Sequence, residues 1–400
     1  MHLRSPYPYW LLRHGIINSY PSLIKDVKTE IVIIGAGISG ALVAWYLCQA
    51  GFQVIIVDRR HAGMGSTAAS TTLLQYEIDI PLFQLIEKVG EKNAVKSYLL
   101  CRKAIDDLEK ICNQLGNKDL FIRRPSFQFA SYKKDVADLK KEYVLRKKAG
   151  FSLQWLDEEN ISRKFGFKKS AGLLSKDGAE ADAYKLTHAI LAKCITKGLK
   201  VYDNTEIAAI HHHKNEIELI TADKKKIKAK KLVIACGYES QQYIRQHVQT
   251  LHSTYAIASE PFDKKDFWYK NALIWETASP YLYLRTTSDN RILIGGKDAR
   301  YSGASERDRL LTRKTKDLEK AFGRLFPDLL FKTDFNWAGT FASTKDGLPY
   351  IGSIAQRPNT YFALGYGGNG ITFSVIAAEI LRDILSGKKN ENAEIFAFDR

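Results

Sequence analysis

Three observations predict an α/β protein (α+β overall), with a Rossmann-like nucleotide-binding domain and an inserted mixed-sheet domain. Residues 31–57 carry no charge, opening with Ile31-Val32-Ile33-Ile34 and closing with Val54-Ile55-Ile56-Val57. Parallel strands covered on both faces read as unbroken apolar runs of this kind. Between them lies the turn Gly35-Ala36-Gly37-Ile38-Ser39-Gly40, and a second glycine-rich turn, residues 365–370, stands near the other end of the chain. At 400 residues the chain has length for about two or three domains.

The elements follow in order. A strand at 31–34, a helix at 41–49 and a strand at 54–57 form the first unit. Residues 62–72, Ala62-Gly63-Met64-Gly65-Ser66-Thr67-Ala68-Ala69-Ser70-Thr71-Thr72, are nearly all small and read as a loop. Helix is expected over 81–116, 133–148, 184–197 and 306–322. Strands are expected at 121–131, 201–202, 206–212, 216–221, 226–235, 255–260, 281–285 and 291–295. A last helix runs from Ile371 to about Leu385, with Gly387 as its stop.

Gly35, Gly37 and Gly40 follow a strand and open a helix, and Asp58 ends the next strand, which completes a dinucleotide-binding fingerprint. The glycines let backbone approach a pyrophosphate at a helix N-terminus. Asp58 would accept from a ribose hydroxyl and repel a 2′-phosphate, which argues against NADP. The small residues of 62–72 suit backbone lying against a ligand. Leu232-Val233-Ile234-Ala235-Cys236-Gly237 reads as another strand of the same sheet. At 365–370 the apolar helix behind the turn presents backbone N–H groups and a positive dipole end to developing negative charge. A nicotinamide enzyme would continue with further β-α units after Asp58. Here the later strand of that sheet begins at Leu232 and the closing helix only at Ile371, so FAD is the expected cofactor. The expected domains are 27–90, 175–240 and 340–390 for the cofactor, and 91–174 and 241–339 for the substrate, with 1–26 an N-terminal extension.

These pieces, together with Thr344-Lys345-Asp346-Gly347-Leu348-Pro349-Tyr350-Ile351-Gly352, resemble the FAD-dependent D-amino-acid oxidase superfamily of glycine oxidase, sarcosine oxidase and γ-glutamylputrescine oxidase type. The resemblance spans about 8–385. It implies oxidation of the C–N bond of an amino acid or amine, by hydride transfer to flavin N5, with hydrolysis of the imine and reoxidation by O2. It also implies FAD contacts from Ile38, Ser39, Asp58, Arg59, Ser66, Thr67, Thr71, Thr72, Leu73, Ile207 and the run Tyr366, Gly367, Gly368, Asn369, Gly370, Ile371 and Thr372, beside Gly237 at the end of its strand. Three positions depart from the pattern. Phe341 stands where glycine-oxidase-like members carry a carboxylate-gripping arginine. Gly339 stands near the cysteine that binds flavin in sarcosine-oxidase-like members, so noncovalent FAD is expected. Leu293 stands where those enzymes place an oxygen-activating lysine, so a quinone or carrier is the alternative acceptor. Tyr283 matches a substrate-facing tyrosine. Arg285, two residues on and on the same strand face, is either the replacement carboxylate anchor or half of a structural ion pair.

Composition narrows the classes further. Hydrophobic residues make up 45% and charged residues 26%, which excludes wholesale disorder. The net charge of +16 leaves a basic binding protein with a degenerate nucleotide fold as a non-enzymatic alternative. The five scattered cysteines argue against a disulfide scaffold and fit a reducing, cytoplasmic setting. The first twenty residues do not read as a signal peptide, and the glycines within 31–57 argue against a membrane span. His211-His212-His213 lacks a third ligand, so no metal is expected. The lysines of 224–231 lack interleaved aromatics, so no nucleic-acid partner is expected.

Overall fold

The computed structural model describes residues 1–400. Two sheets organise them. Sheet I runs in the order Tyr350–Ser353, Thr360–Leu364, Lys226–Ile234, Val27–Ile34, Val54–Val57 and Lys200–Tyr202. Its strands are parallel except for the first pair, and the hairpin Ile207–His212 and Ile217–Thr221 joins Lys226–Ile234 antiparallel. Ile31, Val32, Ile33, Val54, Ile55, Ile56 and Val57 are almost fully enclosed. Each such side chain stabilises the fold by roughly 1.5–3 kcal/mol relative to exposure, which is why an alternating pattern is absent here.

Sheet II runs in the order Thr333–Ser343, Thr250–Ser259, Ile292–Arg300, Leu282–Thr286, Leu273–Glu276, Phe121–Phe129, Gly172–Ala181 and Leu73–Leu74, with Leu153–Leu156 paired to Gly172–Ala181. Both sheets are mixed, and the α/β expectation with an inserted mixed sheet holds.

Helix Ile38–Gln49 lies under sheet I. A Cβ at Gly40 would fall 1.8 Å from Gly35 O, so the helix reaches the turn only because that residue is glycine. The closing helix, Gly370–Leu385, packs against it, and Ser39 Oγ and Ser374 Oγ share a hydrogen bond of 2.7 Å. The two glycine turns, far apart in sequence, are thereby held side by side.

Three details differ from the sequence expectation. Strand Gly172–Ala181 belongs to sheet II, although its second half falls inside the expected cofactor segment 175–240. Helix Glu91–Gln114, expected on the substrate side, contributes Ala94, Tyr98, Cys101 and Ile105 to the core that holds Val375 and Ile376 of the closing helix. The N-terminal residues are tied into the body. Ser5 N donates to Ala338 O, Thr340 N donates to Leu3 O, and a short helix, Tyr9–His14, buries Tyr9 and Trp10. Six residues are too few to display a helical period. No helix is long and apolar enough to cross a membrane.

Candidate active site

One cavity of about 480 Å³ lies between the sheets, and both glycine turns open onto it. That size is typical of a small-molecule site. Gly35, Gly37, Ile38, Ser39, Asp58, Arg59, Ser66, Thr67, Thr71, Thr72, Leu73, Ile207, Gly237 and all of Tyr366 to Thr372 line it, as do Tyr283 and Phe341. Gly40 and Arg285 do not.

At the first turn, Gly35 has φ +108°, and a Cβ there would come 2.6 Å from Ala235 O. A Cβ on Gly37 would sit 2.9 Å from Thr67 Oγ1, which already accepts from Ile38 N at 3.0 Å. The small-residue loop is thus threaded against the helix N-terminus. Ser66 Oγ, buried beside it, has no partner within the chain and is free to donate to an anionic group. Asp58 accepts from Ala36 N and Arg60 N, each at 2.8 Å. Desolvation in the cleft pushes its carboxyl up to about 6, against the pull of those two N–H groups. Arg59 and Arg60 both reach Glu239, which also pairs with the N-terminal amine at 3.2 Å. This cradle, with its missing Cβ atoms, partnerless hydroxyl and carboxylate at the strand end, fits a dinucleotide.

At the second turn, Gly367–Asn369 forms a short 3-10 segment before the closing helix. Asn369 Nδ2 donates to Gln75 O and Glu77 O at 3.1 and 2.8 Å. Asp79 Oδ2 accepts from Gly368 N at 2.7 Å, and Tyr281 OH donates to Asp79 Oδ1 at 3.2 Å. A Cβ on Gly368 would meet both Asp79 Oδ1 and Tyr281 OH below 3 Å. One of the N–H groups expected to face the ligand is therefore already taken by a carboxylate.

The profile of the family described as "DAO: FAD dependent oxidoreductase" matches residues 30–384, most of the chain. The chain belongs to this family. Among its relatives, the D-amino acid dehydrogenase of Rhizorhabdus wittichii is 25% identical, over 90% of this chain and 97% of its own length. The gamma-glutamylputrescine oxidoreductase of Escherichia coli is 22% identical, over 92% and 86%. The solved glycine oxidase of Geobacillus kaustophilus superposes with a TM-score of 0.75 at 19% identity, covering 91% of this chain and 96% of that one. This DAO-family chain is an FAD-dependent oxidoreductase of the class that acts on amino acids or amines. Its enzymatic membership overturns the alternative of a non-enzymatic basic binding protein.

Beyond the glycine turns, the cavity of this DAO-family chain is walled by sheet II: Thr254, Tyr281, Tyr283, Asp298 and Phe341. The rings of Tyr281 and Tyr283 lie 5.8 Å apart, and Phe341 stacks on His252 at 5.1 Å. Gly295 makes room for Tyr283, whose OH lies 2.3 Å from where a Cβ would stand. Arg285 does not take the expected anchor position. Its Nε donates to Thr71 O at 2.6 Å, its Nη2 to Ala181 O at 3.0 Å, and Nη1 lies 3.5 Å from Glu180. Alternation does keep it on the face of Tyr283, but the loop 70–72 crosses over it and takes up the guanidinium.

Asp79, Thr254 and Asp298 were not singled out from sequence. Asp298 had a local signal: Gly295-Gly296-Lys297-Asp298 interrupts an apolar strand. Lys297 adopts φ +55° at a register shift between Ser253 and Tyr255. Cys236, the cysteine that lines the cavity, sits at the nucleotide end, and burial pushes its thiol up to about 12. The exposed His211 and His213 lie on the outer hairpin of sheet I, and the lysine run covers the turn after that hairpin and the start of the strand Lys226–Ile234.

Proposed function

We propose that this enzyme holds FAD noncovalently along the whole cavity and oxidises the C–N bond of an amine or amino acid presented from sheet II. What supports this reading is the continuity of one cavity from Asp58 and Ser66, past Thr71 and Gly367, to Tyr283 and Phe341. Bound FAD, held by the glycine turns, Asp58 and Ser66, would supply a two-electron acceptor for the hydride of the substrate α-carbon; with loss of a proton from the nitrogen this would give an imine that water would hydrolyse to a carbonyl compound and ammonia or amine. The chain's own part is positional. Tyr281, Tyr283 and Phe341 exclude water and fix the carbon. Asn369 and Asp79 hold the second turn in place through Gln75 O, Glu77 O and Gly368 N.

The reoxidant is O2 or a quinone-type carrier. Leu293 favours the carrier, because the strand position that the family resemblance gives to an oxygen-activating lysine is here a side chain buried with Trp10, Ala256 and Trp337. The test is anaerobic mixing of the purified yellow protein with panels of amines and amino acids. Bleaching of the flavin by members of either panel is expected, and a flavin that stays oxidised with every member overturns the proposal. Turnover in air without peroxide, restored by a quinone, distinguishes the carrier from O2.

A further inference from the structure

The charged side chains that line the cavity are unevenly placed. Asp58, Arg59, Arg60, Glu206 and Glu239 crowd the nucleotide end, and Asp298 stands at the substrate end. No arginine or lysine lines that end. Arg285 is committed to Thr71 O, Ala181 O and Glu180. Arg307 donates to His2 O, Thr340 Oγ1 and Asp308 through Nη1 and Nε; its Nη2 is buried without a partner, and the residue does not line the cavity. His252 accepts or donates at Ser343 Oγ, 2.8 Å away, and burial lowers its pKa, so it carries no charge near neutrality. Lys314, whose charge attracts Asp298, gives its ammonium to Lys297 O at 2.5 Å. A substrate carboxylate would thus find no cation there, and would face Asp298, with Asp79 behind Tyr281 adding the same sign. Oδ1 of Asp298 is buried without a hydrogen-bond partner in the chain, and a buried carboxylate oxygen left unsatisfied is costly to keep. The tyrosine pair beside it offers ring faces, and Tyr281, donating its O–H to Asp79, has an electron-rich ring suited to a cation.

We propose that Asp298 selects a cationic substrate, so that this site takes an amine bearing a second, positively charged nitrogen and does not hold an amino acid by its carboxylate. The inference rests on the reading of the cavity as an amine- or amino-acid-oxidising site. Asp298 anchors the remote ammonium by a charge-assisted hydrogen bond, and the reacting nitrogen is presented uncharged to the cofactor, with the electron and proton balance given above.

The test is anaerobic flavin reduction in the holoenzyme by diaminobutane, butylamine and aminobutyrate, three probes of one chain length. Diaminobutane is expected to half-saturate reduction at a concentration at least about tenfold below butylamine, with aminobutyrate the weakest. Asp298→Asn should abolish the advantage of the diamine over butylamine while FAD stays bound, and Asp298→Glu should restore part of it. Aminobutyrate reducing the flavin as readily as the diamine would overturn the inference while sparing the wider function, and this comparison needs no variant. Retention of the diamine preference in Asp298→Asn would also overturn it. Reduction by none of the three, nor by any other amine or amino acid, would sink the wider function instead.

Discussion

The two ends of the cavity are built in opposite ways. The nucleotide end is assembled mostly from neighbours in sequence: the turn 35–40, Asp58 and the loop 66–73 lie within one β-α-β unit and the segment after it, and Glu206, Cys236 and Glu239 join them from later in the chain. Backbone does most of the contacting there, through glycines whose side chains would collide with Ala235 and Thr67. The substrate end is assembled from Thr254, Tyr281, Asp298 and Phe341, brought together by non-local strand pairing in sheet II, with Asp79 reaching Tyr281 from the loop after Leu73–Leu74. There side chains set the chemistry, and one carboxylate decides its sign. The difference teaches that main-chain shape forms one end of the cavity and a few replaceable side chains form the other.

The comparison breaks most visibly at Gly35. With φ +108° and backbone 2.6 Å from any Cβ, Gly35→Ala is expected to cost on the order of 3 kcal/mol at the turn. The purified variant should be colourless by visible absorbance. A variant that stays yellow would show that main-chain shape is not what holds the cofactor.

Next in size is Arg285→Ala. It removes a buried guanidinium from two carbonyls and leaves Glu180 with Arg124 alone, at 2.9 Å. A loss of about 3 kcal/mol is expected in denaturant unfolding. The half-saturating substrate concentration of the surviving holoenzyme should not move. A selective rise in that concentration, with stability intact, would return Arg285 to the substrate end.

A smaller effect sharpens the same contrast through pH. Burial, with Asp79 adding repulsion, pushes Asp298 up to about 6 against the pull of Thr254 and Lys314. Protonation removes the anchoring charge, so the KM of a diamine relative to that of a singly charged amine should rise about tenfold for each pH unit below about 6. Taking the ratio cancels the deprotonation of the reacting nitrogen that both substrates share. The stability sign runs the other way. The folded chain binds this proton more tightly than the unfolded chain, so Asp298 weakens folding once pH rises through its folded pKa. Asp298→Asn should therefore raise Tm at pH 7 while losing selectivity; a lowered Tm would mean that the carboxylate has a partner in the fold.

The least effect is expected from replacing His211 and His213 with alanine on the exposed hairpin edge. Stability should change by less than about 0.5 kcal/mol, flavin content should be unchanged, and added zinc should leave activity as it was.

How much could be read from sequence follows the same division. The first unit was legible because burial on both faces forces unbroken apolar runs, and because a phosphate-approaching turn needs glycine at fixed spacing. Strand Gly172–Ala181 was not legible, since Lys176-Asp177-Gly178 interrupts it as a turn would. The sheet accommodates that interruption by a register shift opposite Arg124 and Ser126. Strand Thr333–Ser343 mixes apolar and polar residues because it covers a core on one side and a cavity on the other. Asp298 was hidden for a related reason: what marks it is that no lysine or arginine lines its end of the cavity, and that depends on where Arg285, Arg307 and Lys314 place their hydrogen bonds in three dimensions.

The most direct test of the central claim, one cavity holding one noncovalent FAD from end to end, is to denature the purified protein in acid and measure the flavin released. One FAD per chain is expected in the supernatant, with a colourless pellet. Flavin retained on the pellet, release of a flavin lacking the adenine nucleotide, or no flavin at all would contradict it.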